Sequence, residues 1–161
     1  MITQDIAEFA AALPQGRGLM GLDLGTKTIG VAVSDRLLSA ASALETVKRV
    51  KFTVDALRLA DIAKARELGG IVLGLPINMD GTEGPRAQAT RAFARNLSHL
   101  PEFSALPIAF WDERLSTVAA ERALLEADTS RKRRAEVIDA VAAGYILQGV
   151  LDRLRHLRGT S

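Results

Sequence analysis

Residues 19–35 read Leu-Met-Gly-Leu-Asp-Leu-Gly-Thr-Lys-Thr-Ile-Gly-Val-Ala-Val-Ser-Asp, and this stretch decides the fold. An apolar run leads into a turn at residues 25–27, and a second run follows in which apolar and small residues alternate. The alternating apolar residues are Ile29, Val31 and Val33. This pattern predicts a β-hairpin.

Asp23 is an acid inside the first strand of this hairpin, between Leu22 and Leu24. Strand alternation points its side chain away from both leucines, so we expect it to reach the surface near the strand end while they are buried. A carboxylate on a rigid strand is a suitable ligand for a hard cation, although an Asp that closes a turn leaves the same pattern. Its role therefore depends on whether other carboxylates lie beside it.

The composition is that of one ordinary globular domain, with 161 residues of which 48% are hydrophobic and 25% charged. The absence of cysteine excludes a disulfide framework, a thiolate metal site and a catalytic cysteine. Residues 1–13 contain acids but no basic residue, unlike a secretory signal, and no apolar run approaches the roughly 20 residues that span a bilayer. We expect a cytoplasmic protein with no membrane partner.

Charge is distributed unevenly along the chain. Residues 1–130 carry 14 Lys and Arg against 16 Asp and Glu, whereas residues 131–161 carry 7 against 3. The basic C-terminal part could attract a polyanion, although a solvated helix end has the same composition. With only five Phe, one Trp and one Tyr, no base-stacking platform is expected, so nucleic-acid contacts should run mainly through the phosphate backbone.

The order of the remaining segments predicts an α/β protein with a mixed sheet and helices on its faces. Residues 1–18 are expected to be an N-terminal extension with one loosely packed helix, and residues 19–158 a single domain. The predicted strands after the hairpin are 37–44, 71–75 and 107–111. The predicted helices are 52–68, 85–100, 118–127 and 134–157, with a polar connecting segment at 128–133.

Residues 76–84, Pro-Ile-Asn-Met-Asp-Gly-Thr-Glu-Gly, form a long loop between a buried strand and a helix that opens with Pro85. Its amides, its Asn78 and the helix N-terminus together predict a site for phosphate oxygens. An ordinary strand-to-helix connection is the alternative, but nine residues is longer than such connections usually are.

Further acids occupy positions like that of Asp23. Asp112 and Glu113 follow a buried strand at its C-terminal end, the edge at which α/β proteins place ligands. Asp139 shares one face of the last helix with Ala142, Ala143 and Ile146, where an acid is costly to bury unless it is paired or binds a metal. Three acids on three elements facing one sheet edge predict a divalent-metal nuclease, although spacing leaves open which of residues 112 and 113 coordinates.

Carboxylate oxygens favour Mg²⁺ or Mn²⁺, and a chain with no cysteine and only two histidines, His99 and His156, offers little for zinc. Cations are also needed to hold the scissile phosphate. The candidates for that role are Lys27, Arg114, Arg131, Lys132, Arg133 and Arg134.

Four stretches carry a resemblance to a known family. They are residues 21–35, residues 72–84 (Val-Leu-Gly-Leu-Pro-Ile-Asn-Met-Asp-Gly-Thr-Glu-Gly), residues 111–117 (Trp-Asp-Glu-Arg-Leu-Ser-Thr) and residues 138–148 (Ile-Asp-Ala-Val-Ala-Ala-Gly-Tyr-Ile-Leu-Gln). In this order they resemble the YqgF (RuvX) family of pre-ribosomal-RNA nucleases, also called Holliday junction resolvase-like proteins. The resemblance covers about residues 19–155; residues 1–18 lie outside it, and Thr28 stands where the family often has a basic residue.

This resemblance implies a ribonuclease H-like fold with a five-stranded mixed sheet and metal-dependent cleavage of nucleic acid. It implies that Asp23, Glu113 and Asp139 are the catalytic and metal-binding acids, with Mg²⁺ or Mn²⁺ as cofactor. The family name joins two substrates, the 5′ end of precursor 16S ribosomal RNA and the four-way DNA junction. Nothing in the sequence indicates the stable dimer that junction resolution requires, so we expect RNA processing by a monomer or weak dimer, with ribosomal particles as possible partners.

Two further classes remain as alternatives. One is a non-catalytic module that binds nucleic acid through its basic C-terminal helix. The other is an ATPase of the actin, sugar kinase and chaperone type, since Asp-Leu-Gly-Thr also resembles their phosphate-binding hairpin. Those ATPases bind nucleotide between two related domains, and one domain is expected here.

Overall fold

The predicted hairpin is present as strands β2 (Leu19–Leu24) and β3 (Thr28–Ser34), which pair antiparallel with Asp23 opposite Gly30. The structure is a computed structural model that describes residues 1–115 and 131–159, with side chains described for 1–115 and 138–159. The other strands are β1 (Ile2–Thr3), β4 (Ala41–Lys48), β5 (Gly70–Leu75) and β6 (Ile108–Asp112). The helices are α1 (Ile6–Ala12), α2 (Phe52–Ala65), α3 (Pro85–Ser98) and α4 (Arg131–Gly159), and a short 3-10 turn spans Glu113–Leu115.

The six strands form one mixed sheet in the order β1-β6-β5-β2-β3-β4. Strands β2, β5 and β6 run parallel, as do β6 and β1, whereas β3 and β4 are antiparallel to their neighbours. The predicted α/β class and mixed sheet are confirmed, but the predicted count of five strands is wrong. The sixth strand, β1, pairs only Ile2 and Thr3 with β6, which is too short to show a period of alternation.

Each face of the sheet is covered by its own helices. Leu22 and Leu73 belong to the core under α2 and α3, whereas Leu19 and Val72 belong to the core under α4 and α1. Ile6 and Phe9 of α1 expose only 8% and 0% of their surface, so this helix packs firmly on the second core rather than loosely as expected. The face carrying Leu19 is also the face of the acidic residue in β2, because strand residues two and four apart point the same way.

Strand β4 begins later than predicted because residues 35–40 form a loop. Asp35 accepts hydrogen bonds from the backbone N–H of Ala40 (2.9 Å) and from the hydroxyl and N–H of Ser39 (2.6 and 2.8 Å). The Ala40 and Ser39 hydrogen bonds lower the pKa of Asp35 to about 2. The apolar residue that favoured a strand here, Leu37, is 79% exposed.

The helix boundaries differ from expectation by two or three residues, with α2 and α3 ending at Ala65 and Ser98 instead of residues 68 and 100. Helix α4 already includes residues 131–133, which were expected in the polar connecting segment. The predicted helix 118–127 lies outside the described residues.

Within the part of the chain that the structure describes, no helix combines the length and apolarity needed to cross a membrane.

Candidate functional site

Asp23 lies near the C-terminal end of β2 on the face covered by α4, with only 3% of its surface exposed. The prediction that it points away from Leu22 and Leu24 is confirmed, since both leucines belong to the opposite core. The prediction that it reaches the surface is wrong, because α4 packs over this part of the sheet. A carboxylate so deeply buried is costly unless it is paired or binds a cation.

Glycines occupy both strand positions beside Asp23. Gly30 pairs with it across the antiparallel ladder, and Gly74 follows the last paired residue of β5, Leu73, which stands opposite Leu22. An ideal Cβ on Gly30 would lie 1.8 Å from the carbonyl oxygen of Asp139, and one on Gly74 would lie 2.9 Å from Oε1 of Glu113. Both positions are therefore covered closely, Gly30 by the backbone of Asp139, and Gly74 by Ile146, whose Cδ1 would lie 2.4 Å from the added Cβ, together with the carboxylate of Glu113.

Asp139 lies where α4 crosses β3. Its carboxylate oxygen Oδ2 accepts a hydrogen bond from the hydroxyl of Thr28, the first residue of β3. The expected inward face of this helix is confirmed by Ala142, Ala143 and Ile146, which expose 2%, 0% and 0% of their surface. Thr28, which stands where the resemblance suggests a basic residue, thus orients the carboxylate of Asp139.

The two neighbouring acids at the end of β6 have different surroundings. Asp112 forms a bidentate ion pair with Arg114, whose Nη2 and Nε lie 2.8 and 3.1 Å from Oδ2. The Arg114 hydrogen bond lowers the pKa of Asp112. Glu113 instead places its carboxylate over Gly74, on the side of Asp23, so geometry favours Glu113 as the site acid.

The three predicted acids therefore reach one region of the sheet from three separate elements. Among the side chains that the structure describes, no three from Asp, Glu, His and Cys form a group that could hold a metal ion as it stands. The metal-binding role of these acids stays a prediction.

A cavity of about 350 Å³ adjoins Glu113 and is formed by the loop after β5 and the start of α3. Its lining residues are Pro76, Ile77, Asn78, Met79, Gly84, Pro85, Arg86, Ala87, Glu113 and Arg114. The first turn of α3 carries no acid, and its N-cap makes no side-chain hydrogen bond. The backbone N–H groups of this first turn, together with Arg86 and Arg114, make the cavity attractive to an anion.

Of the predicted phosphate-binding side chains, the structure describes those of Lys27, Asn78 and Arg114 but not those of residues 131–134. Lys27 is exposed at the β2–β3 turn, and Arg114 joins the loop after β5 by donating from Nη1 to the carbonyl oxygen of Asn78 at 3.4 Å. Nδ2 of the Asn78 side chain donates to the hydroxyl of Thr82 at 3.0 Å. Residues 131–134 form the first turn of α4, but their side chains lie outside the description, so their role is untested.

Two arginines that sequence reasoning missed stand beside the hairpin turn. Nη1 of Arg49 donates to the carbonyl oxygen of Gly25 at 2.6 Å, and Nη2 of Arg86 donates to that of Leu24 at 3.4 Å. Both guanidinium groups therefore lie just beyond the strand end that carries Asp23. Arg86 could have been found from the sequence, because it lies in the first turn of a helix that follows a long loop. Nothing in the sequence pointed to Arg49.

Comparison with known proteins identifies relatives over nearly the whole chain. A protein of Jannaschia sp. (strain CCS1) is 73% identical over 158 residues, covering 98% of this chain and 99% of that protein. A protein of Roseobacter denitrificans is 74% identical over 158 residues, covering 98% and 96%. Both carry the name "Putative pre-16S rRNA nuclease".

Solved structures show the same fold at low sequence identity. RuvC of T. thermophilus in complex with a Holliday junction substrate matches with a TM-score of 0.54 and 15% identity, covering 90% of this chain and 98% of that one. The yeast mitochondrial Holliday junction resolvase Ydc2 matches with a TM-score of 0.50 and 12% identity, covering 96% and 88%. At these identities the likeness confirms the ribonuclease H-like, resolvase-type fold alone.

The family is shown by a match to the chain itself. The family model described as "RuvX: Holliday junction resolvase" matches residues 17–153, which include every acid of the candidate site. With this match and relatives above 70% identity over nearly its whole length, the chain belongs to the RuvX family.

Proposed function

We propose that this protein is a divalent-metal-dependent nuclease that hydrolyses phosphodiester bonds in RNA and trims the 5′ end of precursor 16S ribosomal RNA. One observation carries the proposal: Asp23, Glu113 and Asp139 reach the same region of the sheet, beside a cavity that presents arginines. The name shared by the relatives supports the choice of substrate.

The donor chemistry fits Mg²⁺ or Mn²⁺. The three acids offer only carboxylate oxygens, which are the ligands that hard divalent cations prefer. The histidines stand elsewhere, with His99 capping the end of α3 and His156 in the last turn of α4. Divalent ions held by these carboxylates would activate the attacking water and stabilise the leaving oxygen of the phosphodiester.

The chain's own side chains would position the substrate and the acids. Arg114, held by Asp112, and Arg86, held at the strand end, would contact phosphate oxygens on either side of the cavity. Thr28 would keep Asp139 turned toward the site, as hydrogen bonds to ligating carboxylates commonly do. The same arrangement would serve any nucleic acid strand, because phosphate contacts carry little sequence information.

A second candidate is resolution of four-way DNA junctions, which the description of the matching family favours. A third is a binding module in which the acids serve only the fold. Cleavage assays separate the three, using wild type and Asp23→Asn with a 5′-extended ribosomal RNA precursor and with a four-way DNA junction. Each reaction is run with Mn²⁺, with Mg²⁺ and with EDTA.

We expect metal-dependent loss of the RNA extension by the wild type and none by Asp23→Asn. Asp55→Asn is the matched control, since Asp55 is also buried (2% exposed) but lies in α2 on the opposite face, where it accepts a hydrogen bond from the N–H of Val50. Symmetric nicking of the junction instead would support the resolvase. Cleavage of neither substrate, with normal folding and RNA binding, would support the module.

The proposed substrate places the protein on immature small ribosomal subunits in the cytoplasm. Sedimentation of a cell extract tests this, because the protein should travel with precursor particles. Sedimentation of the purified protein should show a monomer or a weak dimer, and a stable dimer would favour the junction substrate.

A further inference from the structure

Met79 lies at the tip of the loop after β5 and exposes 89% of its surface, more than any other large hydrophobic residue that the structure describes. Single exposed apolar residues are common on proteins and need no explanation by themselves. The setting of Met79 is unusual because the loop that carries it is held in one shape.

Hydrogen bonds fix this loop on both sides of Met79. The N–H of Asn78 donates to the carbonyl oxygen of Thr82 at 2.9 Å, and the N–H of Gly81 donates back to that of Asn78 at 2.8 Å. Asp80 accepts from the N–H and the hydroxyl of Thr82 at 2.9 and 2.6 Å. These bonds close a tight turn, with Gly81 at a φ of +90°, so the backbone that carries Met79 is held in one shape and projects its side chain from the loop.

The base of the loop is anchored as well. Ile77 and Glu83 form a β-bridge, and Glu83 is paired with Arg91 of α3 at 2.6 Å. Arg114 contacts the loop carbonyl of Asn78, which ties the loop to the segment that carries the site acid. The loop is therefore a rigid projection of the candidate site.

Met79 lines the same 350 Å³ cavity as Glu113 and Arg114. A strand whose phosphate is held by Arg114 beside the carboxylate would thus bring its neighbouring bases to the methionine. Methionine is unbranched and polarisable and contacts aromatic rings favourably, and it is among the apolar side chains that nucleic-acid-binding proteins insert between base steps.

We propose that Met79 packs against the bases next to the scissile phosphate and unstacks them, making it a positioning residue for the substrate strand. This inference rests on the proposed function, since it takes the cavity as the place where the strand binds. It adds a base contact to a loop whose sequence predicted phosphate contacts only. Its consequence is a preference for strands that unstack easily at the cleavage position.

The test uses RNA carrying 2-aminopurine, a base whose fluorescence rises on unstacking, on either side of the cleavage position. Binding is measured in the Asp23→Asn background, which prevents cleavage, for this parent and for added Met79→Ala, Met79→Leu and Leu57→Ala. Leu57 is the matched control, because it is 60% exposed and lies on α2, away from the cavity.

We expect the parent to raise the fluorescence and Met79→Ala to abolish the rise. The affinity of Met79→Ala should fall by roughly 2- to 10-fold, in line with the loss of one contact between a methionine and an aromatic ring. Met79→Leu should restore most of both effects, and Leu57→Ala should resemble the parent. The salt dependence of binding should stay the same in all four proteins, because no phosphate contact is removed.

Two outcomes would overturn the inference while leaving the proposed function standing. One is binding by Met79→Ala with unchanged fluorescence and affinity. The other is equal weakening by Met79→Ala and Leu57→Ala. If wild type and parent bind no RNA at all, the proposed function fails first and the role of Met79 fails with it.

Discussion

Replacing Gly30 by alanine should separate Asp139 from Asp23 while leaving every acid in the chain. The added Cβ would lie 1.8 Å from the carbonyl oxygen of Asp139, 2.1 Å from its carbonyl carbon and 2.7 Å from the nitrogen of Ala140. All three atoms are backbone, so no rotamer change relieves the clash. Either α4 or β3 has to move.

The required movement follows from these distances. Cβ contacts in proteins essentially never fall below 3.0 Å, so the carbonyl oxygen of Asp139 has to retreat by about 1.2 Å. Overpacking of this kind costs about 3 kcal/mol at the upper end of its usual range, which lowers Tm by roughly 6–12 °C for a chain of this size. A misplacement of about 1 Å at a catalytic site costs on the order of 10²-fold in rate.

The measurements are Tm by circular dichroism and kcat/KM for cleavage of the RNA precursor with saturating Mn²⁺. Gly144→Ala is the matched control because it also adds one Cβ at the surface between α4 and the sheet. This Cβ would lie at an ordinary van der Waals distance, 3.8 Å, from the backbone nitrogen of Ala43. That substitution should leave activity intact and raise stability by about 0.5–1 kcal/mol, since alanine favours the helix. Unchanged Tm and unchanged activity in Gly30→Ala would refute the reasoning that the glycine seats the helix.

Three further changes test other parts of the site and fold. Thr28→Val removes the hydroxyl that holds Asp139. It should lower the affinity for Mn²⁺, measured by calorimetry, by about 10- to 100-fold without changing the fold. An unchanged affinity would mean that the hydroxyl does not orient the acid. Arg86→Gln should reduce the log–log salt slope of RNA binding by roughly 0.7, whereas Arg95→Gln, at the exposed end of the same helix, should not. Hydrogen bonds from Ala40 and Ser39, in the same loop, lower the pKa of Asp35 to about 2, so they stabilise the fold above pH 4 and are lost as the pH falls toward 2. Asp35→Asn should therefore lose less Tm than wild type between pH 5 and pH 2, and parallel losses would contradict this assignment.

The sequence predicted the side-chain directions that depend on the residue pattern within a single strand or helix. Alternation in the hairpin placed Asp23 on the face opposite Leu22, and helical periodicity placed Asp139 on the inward face of the last helix. Both orientations follow from one element alone. The burial of Asp23 does not, because it depends on how closely another element approaches.

Several features lay beyond the sequence because they arise from pairing between distant segments. The choice between Asp112 and Glu113 needed the approach of Glu113 to Gly74 on β5, a contact between distant segments, whereas the pair between Asp112 and Arg114 is local. Strand β1 is defined by its pairing with β6, and its two residues are too few to show a period of alternation. A glycine in the middle of the apolar run 71–75 was an available signal, since glycine inside a strand often marks a close approach.

The glycines explain why an acid can be buried here at all. Asp23 lies between Gly30 and Gly74. The backbone of α4 occupies the space above the first, and the side chains of Ile146 and Glu113 occupy that above the second. A side chain at either position would keep one acid away from Asp23 without removing it. The site thus depends on the distance between helix and sheet as much as on its carboxylates, and a chain that kept all three acids but lost Gly30 should retain the fold and lose the chemistry.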